Sequence, residues 1–252
     1  MKKLELFKKG TAFCITCAII FSSASVYATD AQTPAEVTNQ DGIRKTEILF
    51  RDIPWYSTKK DVEEDFFPDG AEAAGWMSNR NEIYWTDEDD FFGDSMLPKY
   101  MDQAGVHGWY SNITVAGYTP SSTMACYIYP VTDGTIIRSD DDAQLYVAWY
   151  SFYGDDFLDY DAIFKDLKGK LDLLYGESYD SSGSIYVQQS WKDEQGNEIK
   201  LCTDEKQDFV TLTYVAGGSV DKLTEMQNCL EQEKKTLEEE ERAKNIANTD
   251  GL

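Results

Sequence analysis

Hydrophobic and polar positions change period several times along this chain, and each change predicts an element. Thr11 to Val26 is an uncharged, mostly apolar run. Residues 29–45 (TDAQTPAEVTNQDGIRK) are polar and aperiodic, as expected of a linker. Apolar positions return at Ile48, Phe50 and Ile53, predicting a short strand stopped by Pro54. Thr58 then opens a helix with Asp61 as its capping-box partner. Val62 and Phe66 share its buried stripe, and Pro68 ends it.

No period is sustained over 67–105, which reads as an irregular insertion with one short helix near Leu97 to Met101. Period two then sets in. Asn112 to Tyr118, Thr123 to Val131 and Gln144 to Phe152 are dense in β-branched and aromatic residues and predict three strands. A helical period follows: Asp159 caps it, Tyr160, Ile163, Phe164, Leu167, Leu171 and Leu174 recur along one face, and Gly176 stops it. Three more strands are expected at Ser184 to Trp191, Glu198 to Thr203 and Asp208 to Val215, with Glu194 to Asn197 as a hairpin turn.

A last helix is capped at Ser219. Leu223, Met226 and Leu230 share one side, and beyond them only Leu237 continues the stripe. Leu223, Leu230 and Leu237 are spaced by seven, but Glu233 and Glu240 stand where a coiled coil needs apolar residues. The i,i+4 pairs Glu231–Lys235, Glu238–Arg242 and Glu240–Lys244 instead describe a solvated helix. The predicted fold class is therefore α+β: an antiparallel sheet with two helices on one face, from a helix-plus-three-strands unit present twice, plus a solvated C-terminal helix. The single domain is expected to span 46–217, followed by a charged helix and tail over 218–252.

The N-terminus changes the compartment. Lys2, Lys3, Lys8 and Lys9 precede the apolar run, and Val26-Tyr27-Ala28 supplies acceptable −3 and −1 side chains. Residues 1–28 thus read as a secretory signal peptide, with a secreted chain beginning at Thr29. The run is too short and too serine-rich for a spanning helix, and Phe13 and Thr16 before its cysteines do not fit lipidation. No second apolar span follows.

The whole chain carries 23 basic and 46 acidic residues, a net charge of −23. Losing four lysines and Glu5 with the leader leaves 19 against 45. Such a field disfavours nucleic acid and anionic lipid surfaces as partners. Of the five cysteines, Cys126, Cys202 and Cys229 remain after cleavage. Strand alternation places Cys126 with Met124 and Ile128 on the core face and Cys202 with Lys200 on the other, which predicts three free thiols.

Candidate chemistry is sparse. His107 is the only histidine, so any Cys–His or Ser–His pair would require it; it reads as a loop or packing residue. No nucleophile elbow, zincin helix or Gly-rich phosphate loop occurs, and no cofactor or catalytic residue is assigned. The acidic run holding Asp87, Asp89 and Asp90 is the nearest thing to an oxygen-ligand metal site, but it lacks the alternation and central Gly of a calcium loop. The runs Asp140 to Asp142 and Asp155-Asp156 with Asp159 read as solvated surface. Trp76, Trp85 and Trp109, in or beside the insertion, are the candidate binding residues, since aromatics can stack on sugars or anchor peptides.

Ile53-Pro54-Trp55-Tyr56-Ser57 after a strand, Val62 in the next helix, Leu174-Tyr175-Gly176 closing the second helix, and the strands holding Trp191 and Val210 to Tyr214 resemble a known group. They are similar to uncharacterised exported domains of clostridial bacteria that open on Ile-Pro-Trp-Gly-x-Ser. The likeness covers roughly Glu47 to Val215 without the insertion. Tyr56 replaces the usual Gly, and Ser178 stands where a Pro often follows. The resemblance implies fold and compartment. More remotely, the duplicated plan is similar to small envelope modules and β-lactamase-inhibitor-type domains, which act by binding. The expected function is a monomeric, non-enzymatic extracytoplasmic module that binds a protein, peptide or glycan. The alternative is a secreted carboxylate-dependent hydrolase acting on glycans.

Overall fold

The computed structural model describes residues 45–66, 72–79, 105–154, 158–182, 186–204, 206 and 208–247, with the backbone alone for 66, 72–79 and 247. The leader and nearly all of the linker lie outside these residues, as does the helix expected near Leu97.

Thr58 caps a short helix, α1 (Lys59–Asp61), by accepting from Asp61 N at 3.1 Å. The helix continues as a π-helical turn over Val62–Phe66, with Val62 fully buried. Strands β1 (Glu72–Asn79), β2 (Gly105–Ser111) and β3 (Ser122–Ile128) follow, then a hairpin of β4 (Val131–Thr132) and β5 (Thr135–Ile136), and the long β6 (Gln144–Tyr153). Helix α2 (Tyr160–Tyr175) leads to β7 (Tyr179–Asp180), β8 (Tyr186–Lys192), β9 (Glu198–Asp204) and β10 (Phe209–Val215), and α3 (Ser219–Ala247) ends the described chain. Eight strands form one antiparallel sheet in the order β1-β2-β3-β6-β10-β9-β8-β7. The mixed α+β class is that expected from the sequence.

Most local signals act where the pattern placed them. Asp159 accepts from Ala162 N at 2.9 Å at the start of α2, and Gly176 closes it at φ 94. Ile163, Phe164, Leu167 and Leu171 are buried. The turn between β8 and β9 is held by Asp193, whose carboxylate accepts from Asn197 N at 2.9 Å, with Gly196 at φ 84.

Three expectations are corrected. The stretch 67–105 is not wholly irregular: β1 lies inside it and pairs with β2, so the sheet begins earlier than the period-two signal. Gly105 and Gly108 in β2 and the Ala-Ala-Gly run in β1 dilute that signal. Residues 112–118 are not a strand. Asn112, Ala116 and Gly117 have φ of 59, 52 and 93, and a bridge from Val115 to Tyr118 closes a loop. Ile48 to Ile53 is likewise a turn, with Phe50 bridged to Ile53.

Strand register sorts the side chains onto two faces. One face carries Leu201, Leu212 and Tyr150 in one row and Trp191, Ile199, Tyr214, Ala148 and Ala125 in the next. Phe50 packs tilted against Tyr150 at 5.3 Å and edge-on to Tyr214 at 5.7 Å between ring centroids, so the N-terminal turn lies on this face. Helix α2 lies there too: Trp191 Nε1 donates to the Gly176 carbonyl at 3.0 Å, and Tyr118 from the loop after β2 packs edge-on to Phe152 while bonding Asp166 at 2.9 Å.

Leu223 and Met226 of α3 are buried, Leu230 packs against the core at its margin, and Leu237 is 66% exposed, as the stripe predicts. Of the three pairs expected along the helix, Glu240–Lys244 forms, at 3.9 Å. The solvated reading of α3 beyond Leu230 needs one amendment. Glu233, read only as a break in a heptad, takes Arg138 Nη1 and Nη2 at 3.2 and 2.6 Å, tying α3 to the segment after the β4–β5 hairpin.

Candidate functional site

The sheet face opposite Phe50 and α2 holds a different set of residues. One register row runs Trp109, Met124, Trp149, Thr213, Lys200, Ser190, from β2 to β8. The next runs His107, Cys126, Val147, Val215, Glu198, and on the other side lie Ser122, Ser151, Thr211, Cys202 and Gln188. This face is therefore aromatic and sulfur-rich over β2, β3 and β6, and rich in hydroxyl, amide and charged groups over β8 to β10. Directly opposed side chains have Cβ atoms about 4.5–5.5 Å apart, so Trp109, Met124 and Trp149 form a continuous stripe. Trp149 is buried, whereas Trp109 and Met124 are half-buried and reach solvent.

Among the predicted binding residues, the structure brings Trp109 into this stripe. Trp76 pairs with Gly108 and Trp109 with Gly75, so the two tryptophans occupy positions of opposite parity on neighbouring strands and do not share a row. Trp85, Asp87, Asp89 and Asp90 lie outside the described residues. Met124 and Trp149 were missed as site residues. Each sits in a strongly alternating strand, and only the register shows that they flank one another.

His107 is not in a loop. It lies in β2 directly opposite Cys126, and both are nearly sealed from solvent, at 4% and 0% exposed. The pair lies in the register row beside the stripe, on the same face. Cys126, Cys202 and Cys229 are all unbridged. The geometric reason differs from the expected one: Cys126 and Cys202 share this face, but β6 and β10 stand between their strands. At about 4.8 Å per strand that is roughly 14 Å, twice what a disulfide spans.

The acidic runs that can be located are engaged in structure. Asp140 accepts from the Tyr129 hydroxyl at 2.7 Å, and Asp141 lies 3.9 Å from Lys59 Nζ, which also holds Glu63 at 3.0 Å. Among the described residues no group of three His, Cys, Asp or Glu side chains is arranged to hold a metal ion. The tyrosines on the core face are kept neutral. The Tyr110 and Tyr127 hydroxyls meet at 2.9 Å, and burial pushes both far above the ordinary tyrosine value. Burial likewise raises Tyr175 to about 12, helped by the charges of Asp52 and Asp193. Such groups are neither acids nor bases near neutral pH.

No family model, no curated protein and no solved structure matches this chain. Among the described residues no helix is long and apolar enough to cross a membrane.

Proposed function

We propose that the chain is an exported, non-enzymatic binding module that recognises a protein, peptide or glycan through the sheet face carrying Trp109 and Met124. The observation that carries this reading is the Trp109–Met124 pair, half-buried and open to solvent over the buried Trp149, with Lys200 reaching solvent in the same register row. An exposed aromatic–thioether pair with a cationic side chain in the same row suits a ligand with a flat apolar face.

Two further elements belong to the proposal. The first is duplication: β2-β3-β6 and β8-β9-β10 are each preceded by a helix in sequence, and their last strands meet at the centre of the sheet. The second is kinship with exported clostridial domains. Tyr56, at the position where those domains carry Gly, has φ 65, a left-handed backbone that glycine adopts freely. Export itself rests on the cationic start, apolar run and Val26-x-Ala28 of the leader.

The experiment is a capture assay with the mature chain, from Thr29, on culture supernatant and purified cell wall, run beside Trp109→Ala and Met124→Ala. A ligand retained by the native chain and lost from both variants supports the reading. Equal retention by all three contradicts the proposed face. Release of new reducing ends from the cell-wall glycan would favour the carboxylate-dependent hydrolase instead.

A further inference from the structure

One two-residue turn carries a cation that meets no anionic partner among the described residues. Ile53 N donates to the Phe50 carbonyl at 2.9 Å, which makes Arg51 and Asp52 the two central residues of a two-residue turn. Both are left-handed, with φ of 55 and 62. This is the type I′ pattern, which Gly, Asn and Asp populate readily and arginine does not. Asp52 suits its position; Arg51 is held in a sparsely populated conformation that the surroundings must over-determine.

Ion pairing does not account for it. Arg51 makes two hydrogen bonds, both from Nη1, to the Thr114 carbonyl at 3.2 Å and the Tyr150 hydroxyl at 3.3 Å. Both are long for a charged donor, and both acceptors are neutral. Nε is buried with no acceptor. The neighbouring Asp52 is engaged by Lys45 Nζ at 2.5 Å. In a chain with 46 acidic residues, a part-buried guanidinium that meets no carboxylate among the described residues is unexpected.

The geometry says which ligand fits. Nη1 is cis to the side-chain carbon stem, so Nε and Nη2 share the opposite edge of the guanidinium. That edge presents two parallel N–H donors spaced for the two oxygens of a carboxylate. The bonds from Nη1 fix the plane of the group and leave this fork without a protein acceptor among the described residues. Tyr150 is itself locked by its ring contacts with Phe50 and, at 6.4 Å, Tyr214, so the arm is rigid.

We propose that the Nε–Nη2 edge of Arg51 binds the carboxylate of a small ligand. A carboxylate is favoured over phosphate on two grounds: it is planar and can lie side-on where Nε is covered, and a monoanion suffers less from the chain's net charge of −23 than a dianion. A carboxylate oxygen meets Nη2 first, and contact with the buried Nε requires the 50–53 turn to move against its Phe50 and Ile53 anchors. The site lies with Tyr150 on the face covered by Phe50 and α2, so it does not rest on the reading of the Trp109 face.

The test reads the arginine Nε–H signals of the 15N-labelled mature chain by NMR while sodium acetate is added, with sodium chloride at matched ionic strength as control and inorganic phosphate as a third arm. Arg51→Lys assigns the signal by its disappearance. If that variant does not fold, through-space contacts to the Tyr150 and Phe50 rings assign it in the native chain. The expected result is a saturable displacement of the Arg51 signal by millimolar acetate, with the Arg138 and Arg242 signals unmoved. A signal indifferent to acetate, or moved equally by chloride, overturns the proposal. Displacement by phosphate alone overturns the assignment to a carboxylate.

Discussion

Truncating α3 at two points separates what holds the helix from what merely extends it. Leu223 and Met226 are 2% and 0% exposed, so they carry the hydrophobic anchor, and replacing a buried Leu by Ala costs ~2–5 kcal/mol. For a chain of this size each kcal/mol moves the melting temperature by about 2–4 °C. Leu223→Ala is therefore expected to lower it by roughly 4–20 °C. Glu233 adds the two-pronged contact with Arg138, whose side chains are 41% and 27% exposed. At that exposure the pair contributes about 0.2–1 kcal/mol. A chain ending at Leu230 loses it and should melt up to about 4 °C lower, and the loss should shrink in high salt. A chain ending at Lys235 keeps it and should melt with the native protein. The assay is thermal unfolding by circular dichroism at low and high ionic strength. If the chain ending at Lys235 melts as low as Leu223→Ala, or a native dimer becomes a monomer, the solvated reading of the distal helix is refuted. The Leu223–Leu230–Leu237 seam would then be an interface.

Gly217→Ala should destabilise the domain strongly. An added Cβ would stand 2.3 Å from the Gln195 carbonyl, and backbone cannot swing aside as a side-chain end can; overpacking of this kind costs ~1–3 kcal/mol. Asp159→Ala removes the cap of α2 and should cost ~1 kcal/mol by denaturant unfolding, whereas Asp159→Ser should recover most of it. Stability should fall as the pH rises from 10 to 12. Tyr56 and Tyr175 are raised by burial to about 12 in the folded chain and stay protonated there, while the unfolded chain ionises at about 10, so their contribution is intact below pH 10 and lost above it. Tyrosinate absorbance and unfolding free energy followed over the same pH series check this; a flat stability profile to pH 12 would contradict it. If the leader is cleaved as proposed, intact-mass analysis of protein recovered from the culture medium should place the first residue at Thr29; a retained Met1 would contradict it.

Local signals were legible where one residue type does one job. Thr58, Asp159, Gly176 and Gly196 act at the caps and turns their chemistry predicts. The helical stripe of α2 was likewise plain, because burial on one side needs a 3.6-residue period. β1 and β2 were hidden by glycines and alanines, which pair in a sheet without declaring it. The loop over 112–118 was mistaken for a strand because Ile113, Val115 and Tyr118 look β-like, while the left-handed turns at Asn112 and Ala116 are tertiary facts. The candidate face shows the same limit. Trp109 was singled out as an aromatic near a loop, but its neighbours Met124 and Trp149 come from strands distant in sequence, and only pairing register assembles them. Arg51 gave no signal at all, since nothing in Phe-Arg-Asp-Ile marks a type I′ turn.

The most direct test of the binding face is solvent footprinting of the mature chain with and without the ligand that the capture assay recovers. The account predicts reduced oxidation of Trp109 and Met124 on binding, with Leu237 on α3 and Leu173 on α2, exposed away from that face, unchanged. Unaltered labelling of Trp109 and Met124 in the presence of saturating ligand would contradict it.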